Sequence, residues 1–289
     1  METALFDYHL DAAAIAQQPI EPRHDARLLD TRTMTDHRFL EIGQLLTPGD
    51  LVVVNTARVR RARLYGMREP TGGAVEALVL QPGGGGTWQA LVRPSRRIHC
   101  GSTLRFGDVT ATVLGEPVAG EVTLVFAHPD PEGFFSEYGE LPLPPYFHGE
   151  LADPDRYQTM FARAPIAAAA PTAGLHFTPE VVAGLRSSLI EIASVDLAVG
   201  IGTFRPIAAS DVESHRMHTE WFSVPAATVE AVRRVHRRGG RVVAVGTTVV
   251  RALESAAREG SLASKDGVTD LYLIPGSKFR VVDLLVTNF

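Results

Sequence analysis

The hydrophobic pattern changes character twice along the chain. In the first sixty residues, AAAIAQQ (12–18) reads as helix, and Leu51 to Val54 (LVVV) is an unbroken apolar run of the kind that forms a strand buried on both faces. From about Arg63 the pattern turns to strands alone: VEALVLQ, TWQALVRP, STLRF, VTATVLG and EVTLVFA, separated by GGGG, HCGS, FGD and PVAG. Five short strands punctuated by glycine turns predict a small antiparallel barrel or sandwich. It closes at GELPLPPYFHG, where Pro142, Pro144 and Pro145 forbid helix and central strand alike. The pattern predicts a β domain over 63–140, inserted into a discontinuous α/β domain made of 1–62 and 141–289.

Beyond the prolines, helix and strand signals alternate, as in a layered α/β domain. Thr178 is placed to cap a helix, with Pro179 at its first position and Glu180 beside the positive end of its dipole. IEIASVDLAV reads as a strand running into Gly200-Ile-Gly202-Thr-Phe. Pro225 to Arg238 predicts an amphipathic helix with Val229, Val232 and Val235 on one face, stopped by Gly239 and Gly240. RVVAVG is a further buried strand, after which Thr247 and Thr248 are expected to cap a helix carrying Val250, Leu253 and Glu254. TDLYLI (269–274) and RVVDLLV (280–286) are the last strand candidates.

Composition narrows the class. The chain has 289 residues, is 45% apolar and carries a net charge of −5, so it can bury a large core and is no basic RNA-binding body overall. Any RNA contact needs a local patch. All of its 28 basic residues except Lys265 and Lys278 are arginine, and the lone Cys100 excludes a disulfide framework or a thiolate zinc site. METALFDYHL lacks the apolar core of a signal peptide, and no apolar run approaches the roughly 20 residues of a membrane span. The expectation is a soluble cytoplasmic protein, monomeric and without membrane contact.

Three turns rich in glycine, threonine or histidine lie just past a strand signal or lead into a helix: APTAGLHFTPE, VGIGTFRP and VGTTVVRALES. In an open α/β sheet, ligands bind beyond the carboxyl ends of strands, where glycine admits close approach and helix N-termini offer free N–H groups. Histidines form a second group. His176 precedes the Thr178 cap by two residues, and His215 and His218 sit in SHRMHTEWF; on a helix their rings would share one face, with Glu220 nearby. A third metal ligand is not evident, so no metal is expected, and the histidines with Glu220 suit acid–base or positioning work. No GxSxG elbow is present. Arg233, Arg234, Arg237, Arg238 and Arg241 form a basic run open to two readings, dipole compensation at a helix end or a patch for a phosphate backbone. Arg93, Arg96 and Arg97 with Trp88 make a similar group in the β region. Tyr157 and Gln158 in DRYQTMFA are placed to stack on or hydrogen-bond a base.

GELPLPPY, DRYQT, AAPTAGLHFTPE, VGIGTFRP, HRMHTEW, AVGTTVVRALES and TDLYLIPG, in that order, resemble the S-adenosylmethionine:tRNA ribosyltransferase-isomerases of queuosine biosynthesis. FDYHL…EPRHDARLL and PGDLVVVN…ARLYG extend the likeness to the N-terminus. The resemblance implies a small β-barrel inserted into an α/β domain. It also implies a reaction in which the ribosyl part of S-adenosylmethionine is transferred and isomerised onto 7-aminomethyl-7-deazaguanine in tRNA. Epoxyqueuosine forms, and adenine and methionine leave. S-Adenosylmethionine is then a co-substrate, no cofactor is bound, and the partner is a tRNA anticodon stem-loop bearing the aminomethyl base. On this basis His176, His215, His218 and Glu220 are the acid–base candidates. Thr172, Gly174, Gly202, Thr203, Arg205, Thr247, Thr248, Arg251, Glu254, Tyr157 and Gln158 are the substrate-binding candidates, with arginine suited to fork a carboxylate.

The sequence departs from the family pattern at several motif positions. His24 stands where EPRD is usual, Ala57 lies in Asn55-Thr56-Ala57-Arg58, Ala167 replaces a serine before the AAPTAGLHF string, and Ala198 replaces the histidine of HVGLGTF. The chain ends at Phe289, where members run on through HLPxS and a further helix. Two other readings follow from these departures: a paralogue that delivers the ribosyl group to a free deazapurine or another small acceptor, and an inactive RNA-binding or nucleoside-sensing homologue.

Overall fold

A computed structural model describes residues 1–289 other than 145, 148–150, 152, 201–206, 208 and 289. The chain opens with a hairpin, β1 (Arg27–Asp30) and β2 (Thr35–Arg38), and a single helical turn, α1 (Ile42–Leu45). Next come the apolar strand β3 (Leu51–Asn55) and short β4 (Ala57–Val59). Six strands follow: β5 (Arg63–Glu69), β6 (Gly73–Pro82), β7 (Trp88–Arg93), β8 (Thr103–Phe106), β9 (Val109–Val118) and β10 (Glu121–Phe126). Helix α2 (Pro131–Tyr138) and short β11 (Ala164–Ala167) lead to α3 (Pro179–Ser187), β12 (Glu191–Leu197), β13 (Glu220–Val224) and α4 (Ala226–Arg237). Then come β14 (Val242–Val245), α5 (Thr247–Ala256), β15 (Lys265–Thr269) and β16 (Leu284–Val286).

Contacts divide the chain into two units, Met1–Arg58 with Pro145–Ala164 and Ala170–Phe289, and Val59–Pro144 with Pro165–Ala169. The second is a closed antiparallel barrel of order β10-β7-β6-β5-β8-β9. Alternation fills it: Leu64, Ala77, Val79, Ala90, Val92, Leu104, Phe106, Ala111, Val113 and Leu124 all point inward and are fully buried. The sequence pattern predicts five strands here and the barrel has six. The extra one, β5 (RLYGMRE), mixes polar and apolar residues on both of its faces and lacks the regular alternation of its neighbours. Gly66 lets it close on β8, because a Cβ there would stand 2.1 Å from the Arg105 carbonyl oxygen. Asp130 caps α2 by accepting from the Gly133 amide at 3.0 Å, and Phe135 of α2 packs edge-on against Trp88 at 4.9 Å. Trp88 is therefore core, with Arg60 over its ring at 5.2 Å, and is not an exposed stacking platform beside Arg93.

The first unit is built on a six-stranded mixed sheet of order β15-β13-β12-β3-β14-β16. Strands β12, β3, β14 and β16 are parallel, β13 runs antiparallel to them, and β15, antiparallel to β13, resumes their direction. Its centre is apolar on both faces: Leu51 to Val54 and Val242 to Val245 are buried, the expected signature of parallel strands covered by helices. α4 is helical where its valine stripe places it, with Val229, Val232 and Val235 buried.

Several local expectations give way. AAAIAQQ forms only a short 3₁₀ turn at Ala12–Ala14, since alanine propensity without a buried face does not sustain a helix. Residues 215–219 are not helical, so His215 and His218 do not share a helix face. TDLYLI contributes only its first residue to β15, which begins earlier at Lys265, and RVVDLLV yields only Leu284–Val286. Neither threonine caps α5: its N-cap is Gly246, at φ 90°, a conformation glycine adopts without strain, and Thr247 is already the first helical residue. No helix is long and apolar enough to cross a membrane among the described residues.

Candidate active site

The parallel strands give the sheet two unlike edges, and most of the motif residues gather at the carboxyl one. β3 ends at Asn55, a buried polar residue that follows four buried aliphatics. Its side chain accepts from the Leu197 amide at 3.1 Å and donates to the Leu197 carbonyl at 3.0 Å, which locks the exits of β3 and β12 together. Thr56, next in sequence, donates to Asp196. β12 continues through Ala198, whose amide donates to Trp221, to Gly200, whose amide donates to Glu220 Oε1 at 2.7 Å. Because β13 runs antiparallel, its first residue, Glu220, lies at this same edge.

Glu220 is 5% exposed and paired with Arg251 from α5. Arg251 also donates to the Leu271 carbonyl at 3.1 Å, with the Thr269 and His218 carbonyls at 3.4 and 3.5 Å. Burial pushes the Arg251 guanidinium down from its ordinary value, partly offset by Asp270. Both charges are thus held by the protein itself. Glu254, three residues on, accepts from the amides of Arg280, Val281 and Val282 at 2.9 to 3.0 Å and so anchors the approach to β16.

The turn 172–176 brings His176 to the other side of this edge. The imidazole tilts against Phe39 at 5.4 Å and lies 3.3 Å through Nε2 from Asn288 Nδ2, two residues past β16. Burial lowers its pKa below 6.5, with the Arg23 charge acting in the same direction and a hydrogen bond to the Arg23 backbone opposing them. At pH 7 it is neutral and able to accept a proton. Arg23 organises the neighbourhood by donating to the carbonyls of Gln158 at 2.8 Å, Asp155 at 3.2 Å and Leu175 at 3.5 Å. His24 Nδ1 meets Thr178 Oγ1 at 2.8 Å, at the start of α3.

Two hydroxyls here are buried and find no hydrogen-bond partner among the described residues: Thr248 Oγ1 and Tyr157 Oη. Both flank the segment 170–176. A side chain on Gly246 would stand 3.4 Å from Thr248 Oγ1 and 3.6 Å from Ala173 Cβ, so the start of α5 and the 172–176 turn meet closely. Gly174 leaves similarly little room, 3.1 Å, to Thr159 beside Gln158. Burial pushes the Tyr157 phenol up. Its ring is 7% exposed, so what it presents is the hydroxyl and not a stacking face. A buried hydroxyl without a partner costs about 1–3 kcal/mol, which a bound polar group would recover.

The remaining candidates divide. Thr172 and Thr247 lie in the same two turns, while Gly202, Thr203 and Arg205 fall outside the described residues. His215 packs edge-on against Tyr272 at 5.2 Å, and His218 is tied to the site through its backbone. No group of three His, Cys, Asp or Glu side chains suited to a metal occurs among the described residues. The basic run is elsewhere. Arg241 immediately precedes β14 and forks the buried Asp50, through Nη2 to Oδ2 at 2.6 Å and Nε to Oδ1 at 3.2 Å. Arg234 pairs with Glu191, the first residue of β12, and Arg233 with Glu230 at 2.8 Å. This is the amino edge of the sheet, with three of the five charges already answered; Arg237 and Arg238 make no ion pair among the described residues. Asn55, Asp196, Arg23 and Asn288 had no place among the sequence candidates. Asn55 alone carried a signal, a polar residue closing a run of buried aliphatics.

The architecture comprises a six-stranded mixed α/β sheet and a closed six-stranded barrel. The chain matches the model of the queuosine biosynthesis protein family over residues 3–289, and it belongs to that family. It is 45% identical over 293 residues to a protein of Moorella thermoacetica named S-adenosylmethionine:tRNA ribosyltransferase-isomerase, covering 98% of this chain and 86% of that one. A protein of the same name from Azoarcus sp. is 48% identical over 295 residues, covering 98% and 84%. The crystal structure of S-adenosylmethionine tRNA ribosyltransferase from Thermotoga maritima is 35% identical with a TM-score of 0.49, covering 98% and 84%.

Proposed function

We propose that this chain is an S-adenosylmethionine:tRNA ribosyltransferase-isomerase, acting on the donor and the class of RNA named for its relatives. Family membership over nearly the whole chain carries the reading, and the unpartnered hydroxyls at the carboxyl edge supply a place for a hydroxyl-rich nucleoside. Transfer of the ribosyl group requires loss of a proton from the carbon beside the sulfonium, departure of adenine and capture of the ribose skeleton by the acceptor amine. The acceptor in this reading is 7-aminomethyl-7-deazaguanine in the anticodon stem-loop, and the product is epoxyqueuosine.

His176, neutral at pH 7, is the group suited to take the proton. Thr248 and Tyr157 offer hydroxyls to the nucleoside, beside the free amides at the start of α5. Glu220 and Arg251 act as positioning residues: their pair holds the Gly200 amide just past β12. Glu254 likewise positions the segment 280–282. Neither side chain is free to bind ribose hydroxyls or a carboxylate in this arrangement.

Incubation with S-adenosylmethionine and an anticodon stem-loop bearing the aminomethyl base, followed by chromatography, tests the reading. Adenine release that depends on the RNA supports it. Release with the free base alone transfers the assignment to a small acceptor, and donor binding without release in either case overturns the enzymatic reading.

A further inference from the structure

The chain carries two arginine clusters, built in opposite ways. Around α4 the guanidinium groups of Arg233, Arg234 and Arg241 are spent on Glu230, Glu191 and Asp50. In the barrel, Arg68 at the end of β5 and Arg96 and Arg97 in the β7–β8 loop converge on one hollow of about 330 Å³. Buried Val75 and Ile98 line it, and Gly73 and Pro94 edge it. Arg68 donates through Nε to Thr71 Oγ1 at 3.0 Å and through Nη1 to the Arg97 carbonyl. Neutral groups therefore hold it, and its charge is not cancelled. Among the described residues no ion pair reaches Arg68, Arg96 or Arg97. Acids on neighbouring segments are engaged elsewhere: Glu69 with Arg105 at 2.9 Å, Glu76 with Arg63 at 3.2 Å and Glu116 with His99 at 3.4 Å.

Three like charges around one concavity repel each other, and an anion entering it relieves that repulsion. Guanidinium forks match phosphate oxygens, and an apolar floor accepts the carbon face of a sugar between phosphates. In a chain of net charge −5, this is the local positive patch that an RNA partner requires.

We propose that the barrel hollow binds the phosphodiester backbone of the tRNA substrate. This rests on the tRNA reading above and adds a contact surface on the barrel itself. The test compares full-length wild type with Arg96→Glu/Arg97→Glu, whose side chains are exposed and make no hydrogen bond among the described residues, by tRNA fluorescence anisotropy between about 50 and 200 mM salt. The variant is expected to bind at least about tenfold more weakly at the low-salt end, with a slope of log affinity against log salt shallower by roughly two. Its affinity for S-adenosylmethionine and its thermal midpoint stay at the wild-type values.

Wild-type affinity and slope in the variant overturn the proposal. So does an equal loss in Arg237→Glu/Arg238→Glu, which would mark a general charge effect. Inorganic phosphate that displaces tRNA far better than chloride of matched ionic strength overturns it in favour of a free-anion site. The functional reading fails separately, through absence of RNA-dependent adenine release by the wild type, and anisotropy judges the hollow in either case.

Discussion

The two edges of the six-stranded sheet are made from the same strands yet treat polar groups in opposite ways. At the amino edge the charges at the strand starts have internal partners: Asp50 with Arg241 and the Thr47 amide, Glu191 with Arg234, and Asp283 with the Val242 amide and His236. Asp50, Arg241 and Asp283 immediately precede β3, β14 and β16, Glu191 opens β12, and together they tie the strand starts. At the carboxyl edge the protein binds some polar groups tightly, as in Glu220 with Arg251, while the buried hydroxyls of Thr248 and Tyr157 meet no partner among the described residues, and His176 is held neutral by burial. A closed polar network is a stability device.

The sharpest break between the edges is expected at His176. Removing a proton acceptor from the chemistry lowers turnover by roughly 10²- to 10⁴-fold. His176→Ala is predicted to show that loss of kcat in the adenine-release assay with little change in thermal midpoint. Turnover equal to wild type would remove His176 from the reaction. Asp50→Ala is the counterpart at the amino edge. It strips Arg241 and two amides of their acceptor and is expected to cost about 2–3 kcal/mol of stability, read as a lowered denaturation midpoint, while kcat/KM per folded molecule is unchanged. A fall in kcat/KM would mean that the two edges are coupled and the contrast between them is false.

Thr248→Val separates the edges more finely. The substitution removes a hydroxyl that satisfies nothing among the described residues, so stability should hold or rise by about 1 kcal/mol. If a substrate hydroxyl is its partner, kcat/KM falls about tenfold, equivalent to about 1.4 kcal/mol. A more stable and less active enzyme is the signature of a group kept for a ligand. Loss of stability with activity intact would show that Thr248 is ordinary packing.

Much of this arrangement was legible beforehand where a residue acts through its own local pattern. Leu51 to Val54 had to be a buried strand, α4 announced its valine face, and Thr178 caps α3 by accepting from the Val181 amide at 3.5 Å. The strands β6 to β10 lie where alternation and glycine turns place them. What escaped was decided by tertiary partners. Nothing in SHRMHTEWF reveals that Glu220 begins an antiparallel strand and meets Arg251, 31 residues away. Glu254 looks like a ligand group until the amides of 280–282 arrive on it. The arginine run from 233 to 241 reads as a patch until Asp50, far earlier in the chain, forks its last member. Charges are the least readable residues, because a linear sequence shows each without its counter-ion.

The smallest effect expected is on pH dependence, and it distinguishes the edges by direction of protonation. Burial alone would raise Asp50, but hydrogen bonds from Arg241 and from the Thr47 and Arg241 amides outweigh it and hold the carboxyl below its ordinary value of 3.8. Its contribution is therefore complete above that value and is lost as pH falls through the lower folded one. His176 is shifted below 6.5, so the unfolded chain takes up its proton first, and stability from this group declines as pH falls from 6.5 toward the folded value. Midpoints measured from pH 3 to 8, as wild-type-minus-variant differences, should place the Asp50→Asn difference in the lower interval and the His176→Ala difference in the upper one. Activity should follow the upper interval alone, its acid limb lying below 6.5 because the protonated imidazole has no lone pair to offer. An acid limb above 6.5 would give the proton to a different group, and an activity loss tracking Asp50 would dissolve the distinction between an edge that holds the sheet and an edge that holds the substrate.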